Sequence, residues 1–67
     1  MHKIRIKGYP VHLNEQSNSV IIYDYQNKLE KSESVGIMMY LEEEGFLDEF
    51  EHVKEKPIKV HIQKIKF

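Results

Sequence analysis

The chain has 67 residues, of which 40% are hydrophobic and 31% charged, with a formal net charge of −1 and no cysteine. This length supports one small domain, and the lack of cysteine excludes disulfide bridges, a catalytic thiol and a zinc ribbon. No apolar run reaches the length of a membrane span or a signal-peptide core, so we expect a cytoplasmic protein with no membrane partner. We predict a single α+β domain over residues 1–67.

Three segments have the pattern of β-strands. Residues 2–13 alternate polar and apolar side chains, and Gly8-Tyr9-Pro10 interrupts them with a predicted bulge, bend or tight turn. A strand is predicted over residues 19–26, because residues 20–25 are almost wholly β-branched or aromatic. Residues 57–66 alternate again, but their apolar positions shift from even to odd near Gln63, which indicates a bulge or a tail leaving the sheet.

One helix is expected between the second and third strands, over residues 34–44. Ser32 or Ser34 is suited to cap its start, because a serine hydroxyl accepts a hydrogen bond from an amide two or three residues later. Gly36 in the first turn lowers helix stability by roughly 1 kcal/mol relative to alanine. We therefore expect a close approach between the helix and a strand at this glycine.

The end of the helix is expected at Gly45, a residue type suited to the left-handed position after the last turn. In that frame Phe46 is placed for a Schellman contact with Leu41. Apolar residues then recur at three- and four-residue steps, which predicts a further helical turn or two within 46–54. A single helix kinked at the glycine is the alternative.

The predicted element order is β-β-α-β, with a hairpin followed by a right-handed crossover. The simplest arrangement is a three-stranded, mainly antiparallel sheet with one helical layer, in the order 2-1-3 with the first strand central. The residues expected to face the helices are Ile4, Ile6, Val60 and Ile62, with one side of the second strand. The opposite face is expected to be uncovered and basic, carrying Lys3, Arg5, Lys7, Lys59 and His61.

Charge is segregated along the chain. Residues 1–13 contain three basic residues and no acid, and residues 56–67 contain four lysines and no acid. Residues 14–55 hold all eleven acids. Either the oppositely charged elements attract one another with a small gain in stability, or one pole recognises a charged partner.

The sequence contains no pattern that we assign to catalysis, to a metal or to a cofactor. The four histidines lack zinc-like spacing, the serines lie in loop or cap contexts, and each glycine stands alone. A three-stranded sheet with one helical layer rarely encloses a catalytic cleft. We therefore predict a protein that is not an enzyme.

The leading functional prediction is a small protein-binding regulator, an inhibitor or adaptor of a larger macromolecule. It is expected to act through an acidic, partly apolar helical face. The predicted partner-binding residues are Glu42, Glu43, Glu44, Phe46, Leu47, Asp48, Glu49, Phe50 and Glu51. The alternative for the acids is a solvated face that only keeps the protein in solution.

Nucleic-acid binding through the basic strand face is the rival prediction. The residues expected to contact phosphates are Lys3, Arg5, Lys7, Lys59 and Lys66. Tyr9 with Tyr23 or Tyr25 is expected to stack on bases. The sequence pI of about 6.4 is lower than is usual for such a domain.

Self-association is also expected. Residues 37–41 are five consecutive apolar residues, and they sweep more than one turn of a helix, so a single sheet face cannot cover them all. The Phe46 to Val53 segment, a second copy or a partner protein is needed to cover the remainder. We predict a homodimer, formed through the helical layer or an open strand edge.

Overall fold

In the computed structural model, which describes residues 2–48, 50 and 58–65, one helix packs against one face of a four-stranded sheet. The elements are β1 (His2–Ile6), β2 (Tyr9–Asn14), β3 (Ser19–Tyr25), α1 (Lys31–Glu43) and β4 (Lys59–Ile65). The predicted α+β class is confirmed. The predicted three strands in β-β-α-β order are wrong, because the order is β-β-β-α-β.

The additional strand arises because the segment predicted as one interrupted strand is a hairpin of β1 and β2. Lys7 and Gly8 have φ angles of 52° and 85°. Two consecutive left-handed residues are what a two-residue hairpin turn requires. Ile6 therefore pairs with Tyr9, and the two strands run antiparallel. The interruption in the alternation is thus a tight turn that reverses the chain.

The sheet order is β1-β2-β3-β4, so the predicted order 2-1-3 is wrong. β2 pairs antiparallel with β3, and β4 pairs parallel with β3, with Val20 opposite Val60 and Ile22 opposite Ile62. The connection through α1 returns the chain beside the strand that it left. β3 therefore lies inside the sheet, and its helix-side residues Val20, Ile22 and Asp24 are buried.

α1 begins three residues before the predicted start, and its N-cap is Glu30 rather than a serine. A side-chain oxygen of Glu33 accepts a hydrogen bond from the backbone N–H of Glu30 at 3.1 Å, as in a capping box. Ser34 instead donates its hydroxyl to the carbonyl oxygen of Lys31 at 2.7 Å. The carboxylates of Glu30 and Glu33 therefore form the capping box at the start of α1, in place of the predicted serine cap.

The predicted end of the helix is confirmed as a Schellman motif. The Phe46 amide donates to the Leu41 carbonyl oxygen at 2.9 Å, and the Gly45 amide to that of Glu42 at 3.2 Å. Gly45 has φ 80°, the left-handed value that favours glycine. Residues 44–48 form turns rather than helix, and the rest of the segment predicted as helical, except Phe50, lies outside the described residues.

The core lies between α1 and the first three strands. Its buried members are Ile6, Val11, Leu13, Val20, Ile22, Ile37, Leu41, Leu47 and Phe50. Ile4 packs at its margin, as predicted, but Val60 and Ile62 are 47% and 36% exposed. The core therefore ends at β3, and β4 extends the sheet beyond it.

Candidate functional site

The side of the sheet opposite α1 is the candidate site, and we call it the open face. Cross-strand partners point to the same side of a sheet, so the strand register assigns every residue to one side. The described residues of the open face are Lys3, Arg5, Pro10, His12, Asn14, Ser19, Ile21, Tyr23, Tyr25, Lys59, His61, Gln63 and Ile65. No helix within the described ranges covers them.

The open face is positively charged. Lys3, Arg5 and Lys59 are exposed on it, and the described residues of this face include no aspartate or glutamate. The described acids lie on the helix side of the sheet, on α1 and the turn that follows it, or in the connecting turns. The charge segregation along the chain therefore becomes in part a separation in space, with Lys3, Arg5 and Lys59 on the side of the sheet opposite the acidic helix.

The open face contains a shallow depression of about 250 Å³. Its lining residues are Lys3, Pro10, Val11, His12, Tyr23 and Tyr25. Tyr25 is 37% exposed, and Nε2 of His12 is buried with no hydrogen-bond partner among the described residues. Ligand pockets for small molecules usually measure about 300–1,000 Å³. The depression is slightly smaller than these.

Arg5 is held in place at one end of the open face. Its guanidinium donates a hydrogen bond to the carbonyl oxygen of Gly8 in the hairpin turn, at 3.0 Å. At the opposite edge, Nε2 of His61 lies 3.3 Å from the side-chain oxygen of Gln63. Both edges of the face thus carry polar side chains in defined positions.

Two residues predicted for a nucleic-acid site lie on the helix side. Lys7 is in the hairpin turn, and its Nζ would lie 3.2 Å from a Cβ added at Gly36, so a side chain of the turn approaches this glycine rather than the strand that was expected. The Tyr9 hydroxyl donates to Glu33 over a long 3.5 Å. Burial, and then the negative charge of Glu33, raises the pKa of Tyr9 above its ordinary value. Lys66 lies outside the described residues.

The predicted acidic surface is present in part. Glu42, Glu43, Glu44 and Asp48 are exposed, and Phe46 is 39% exposed. Leu47 and Phe50 are each only 4% exposed and belong to the core, so they are not available as surface anchors. Glu49 and Glu51 lie outside the described residues.

An exposed aromatic pair lies within this surface. The rings of Tyr40 and Phe46 stack with centroids 6.3 Å apart, and Tyr40 is 45% exposed. Sequence reasoning treated Tyr40 only as part of the apolar run. Its six-residue separation from Phe46 matches no helical step, and only the Schellman turn brings the two rings together.

A second depression, larger than that of the open face, is an apolar groove between α1 and β4, which we call the helix–β4 groove. Its volume is about 400 Å³, and it is lined by Ser34, Val35, Met38, Met39, Glu42, Leu47, Ile58 and Val60. Within the predicted apolar run, Ile37 and Leu41 are fully buried, whereas Met39 is 55% exposed. One sheet face does not cover the whole run.

The described residues offer no metal site or membrane span. No three histidine, aspartate or glutamate side chains among them gather as a metal ion would require. Within the same ranges no helix is both long and apolar enough to cross a membrane. Comparisons with family models, with curated proteins and with solved structures found no match to this chain.

Proposed function

We propose that the protein is a non-enzymatic binding protein whose open face takes single-stranded nucleic acid. The observation that supports this most is charge: three exposed cations and no acid among the described residues of one uncovered sheet face. Nucleic-acid binding, the rival prediction from sequence, therefore takes the place of protein binding as the leading proposal. The burial of Leu47 and Phe50 removes two of the three apolar anchors expected on the acidic surface.

The arrangement of side chains suits a strand with unpaired bases. Lys3 and Arg5 lie on one edge strand and Lys59 on the other, and these two strands are about 14 Å apart, which is three strand spacings. Tyr23 and Tyr25 lie between these edges. Cations at the margins contact phosphates, and the rings offer stacking surfaces to bases. A duplex hides the faces of its bases, so a single strand is the better ligand.

Salt dependence tests this proposal. Neutralising three phosphates gives a slope of about −2 in a plot of log affinity against log salt for a single strand. Between 50 and 200 mM salt we therefore expect about a 20-fold loss of affinity for a labelled single-stranded oligonucleotide, measured by fluorescence anisotropy. Absence of binding at 50 mM salt, or affinity that does not change with salt, would overturn the proposal.

Two matched pairs of variants locate the contact. Lys3→Glu should weaken binding by about 10-fold or more, because it replaces a phosphate contact by a repulsion. Lys31→Glu makes the same charge change on exposed α1 and should leave affinity nearly unchanged. Tyr25→Ala should cost about 5-fold or more through lost stacking, whereas Tyr40→Ala on the helix side should not. Equal effects within either pair would place binding elsewhere.

Protein binding through the acidic surface is the second candidate, favoured by the exposed Tyr40–Phe46 ring pair. Aromatic side chains surrounded by charge are typical anchors of protein interfaces. The test is a pull-down from the native host lysate after nuclease treatment. A protein partner should be retained and then released by combined charge reversal at Glu43, Glu44 and Asp48. The same partner should stay bound to the control variant Gln16→Lys, which adds a positive charge on the exposed turn between β2 and β3, outside the acidic surface. Recovery of nucleic acid alone would reject this candidate.

A further inference from the structure

β4 carries apolar side chains that the helix leaves uncovered. Its register with β3 places Val60 and Ile62 on the helix side, directly beside Val20 and Ile22. The two β3 residues are fully buried, whereas Val60 is 47% and Ile62 36% exposed. The apolar side of the sheet therefore continues for one strand beyond its cover.

The helix–β4 groove reaches one of these two residues, Val60. Besides Val60, it is lined by Val35 and Met39 of α1, which are 51% and 55% exposed. β4 is also the last strand of the sheet in the described part of the chain, so its outer edge presents backbone groups suited to pairing with another strand. An open edge and an apolar groove thus adjoin each other.

We propose that a second copy of this chain pairs with this edge, with the two β4 strands antiparallel about a two-fold axis at Ile62, so that the apolar side chains of the two strands contact each other. The pairing is isologous, because each copy offers the same strand to the other. This register places Ile62 opposite Ile62 of the second copy and Val60 opposite Lys64. On the other side of the sheet, Lys59 lies opposite Ile65 and His61 opposite Gln63.

The charges along β4 are compatible with this register. None of its opposed pairs brings two cations together, and the ammonium of Lys64 is already hydrogen-bonded to Asn27 within its own chain. The aliphatic stem of Lys64 is then the part that meets Val60. A net charge of only −1 per chain gives little long-range repulsion between two copies.

Sheet geometry excludes the neighbouring registers. A slip of one residue would turn the second copy over, so that its helix and its apolar residues would lie on the opposite side. A slip of two residues keeps the sides but pairs fewer of the seven β4 residues. The Ile62-centred register is therefore the one that pairs the whole strand and joins both apolar patches.

The pairing of the two β4 strands also joins the open faces of the two copies. A two-fold axis perpendicular to the sheet keeps both α1 helices on one side and both open faces on the other. The result is one continuous eight-stranded surface, with Lys59 and His61 of both copies near its centre. The dimer itself does not depend on the proposed function, because it rests on the edge and groove of the helix side.

Sedimentation equilibrium tests the dimer directly. As concentration increases through the micromolar range, the average mass of the wild-type protein should rise from 8.1 kDa toward twice that value. Ile62→Lys should remain monomeric, because it places two ammonium groups face to face on the axis. Tyr40→Lys introduces the same charge on exposed α1 outside the groove and should still dimerise. A wild-type protein that stays monomeric would overturn the proposal and would mean that another part of the chain or a different protein covers the groove. A dimer that persists in Ile62→Lys would overturn it as well.

A cross-linking experiment gives a second readout that does not depend on the fold of the lysine variant. The chain has no cysteine, so Ile62→Cys supplies one thiol per copy. Directly opposed residues of antiparallel strands have Cα atoms about 4.5–5.5 Å apart, within the range of a disulfide. Mild oxidation should therefore cross-link Ile62→Cys rapidly into a covalent dimer, whereas Tyr40→Cys should cross-link only slowly. Equal rates for the two variants would refute the Ile62-centred register.

Discussion

Replacing Ile22 with alanine is expected to unfold a large fraction of the protein, whereas Ile62→Ala at its cross-strand partner should leave it folded. Ile22 is fully buried in the core, and Ile62, opposite it on β4, is 36% exposed. Truncation of a buried isoleucine typically costs about 2–5 kcal/mol. A core of this size supplies only about 3–5 kcal/mol in total, so the first variant removes most of the stability.

Urea denaturation followed by circular dichroism measures this difference. Both variants should be compared with the wild type at a concentration where the chain is monomeric, so that dimerisation does not contribute to stability. We expect Ile62→Ala to lower the free energy of unfolding by about 1 kcal/mol or less. Equal losses for both variants would mean that the core extends over β4, contrary to the exposure of its residues.

The side of the sheet on which residues of the first and last strands lie could be predicted from the sequence alone. Side chains alternate along a strand with period two, whichever strand is its neighbour. Lys3, Arg5 and Lys59 were therefore expected on the uncovered face, and the strand register places them there. Lys7 is an exception because it belongs to the hairpin turn, where alternation no longer applies.

The number and order of the strands could not be predicted in the same way. A two-residue turn of this kind usually shows Asn-Gly or Asp-Gly, and Lys7-Gly8 lacks that signal. Alternation also contains no information on which strand lies beside which. The parallel pairing of β4 with β3 follows from the path of the crossover helix, which is a property of the whole fold.

The burial of the residues after α1 also depends on the fold. The spacing of Phe46, Leu47 and Phe50 suggested one apolar surface. The Schellman turn instead directs them differently, so that Phe46 stacks on Tyr40 at the surface while Leu47 and Phe50 enter the core. Sequence spacing alone did not distinguish an anchor for a partner from a core residue at these positions.

The connection between β3 and α1 depends on Asp24, which is fully buried. Its Oδ1 accepts hydrogen bonds from the backbone N–H groups of Lys28 and Leu29, at 2.9 and 3.0 Å. Between Asp24 and Lys28, Gln26 and Asn27 have φ angles of 65° and 56°, a left-handed conformation that costs energy for residues other than glycine. The carboxylate therefore holds a turn that the backbone alone disfavours.

Asp24→Ala is expected to lower the free energy of unfolding by about 2–5 kcal/mol, because each partly buried amide left without an acceptor costs about 1–3 kcal/mol. Asp24→Asn should cost clearly less, since its side-chain oxygen can accept both hydrogen bonds. The asparagine also removes a buried charge whose second oxygen, Oδ2, has no hydrogen-bond partner among the described residues. Urea denaturation of the two variants beside the wild type gives the comparison. If the asparagine variant were as unstable as the alanine variant, the negative charge rather than the two accepted hydrogen bonds would be what stabilises this turn.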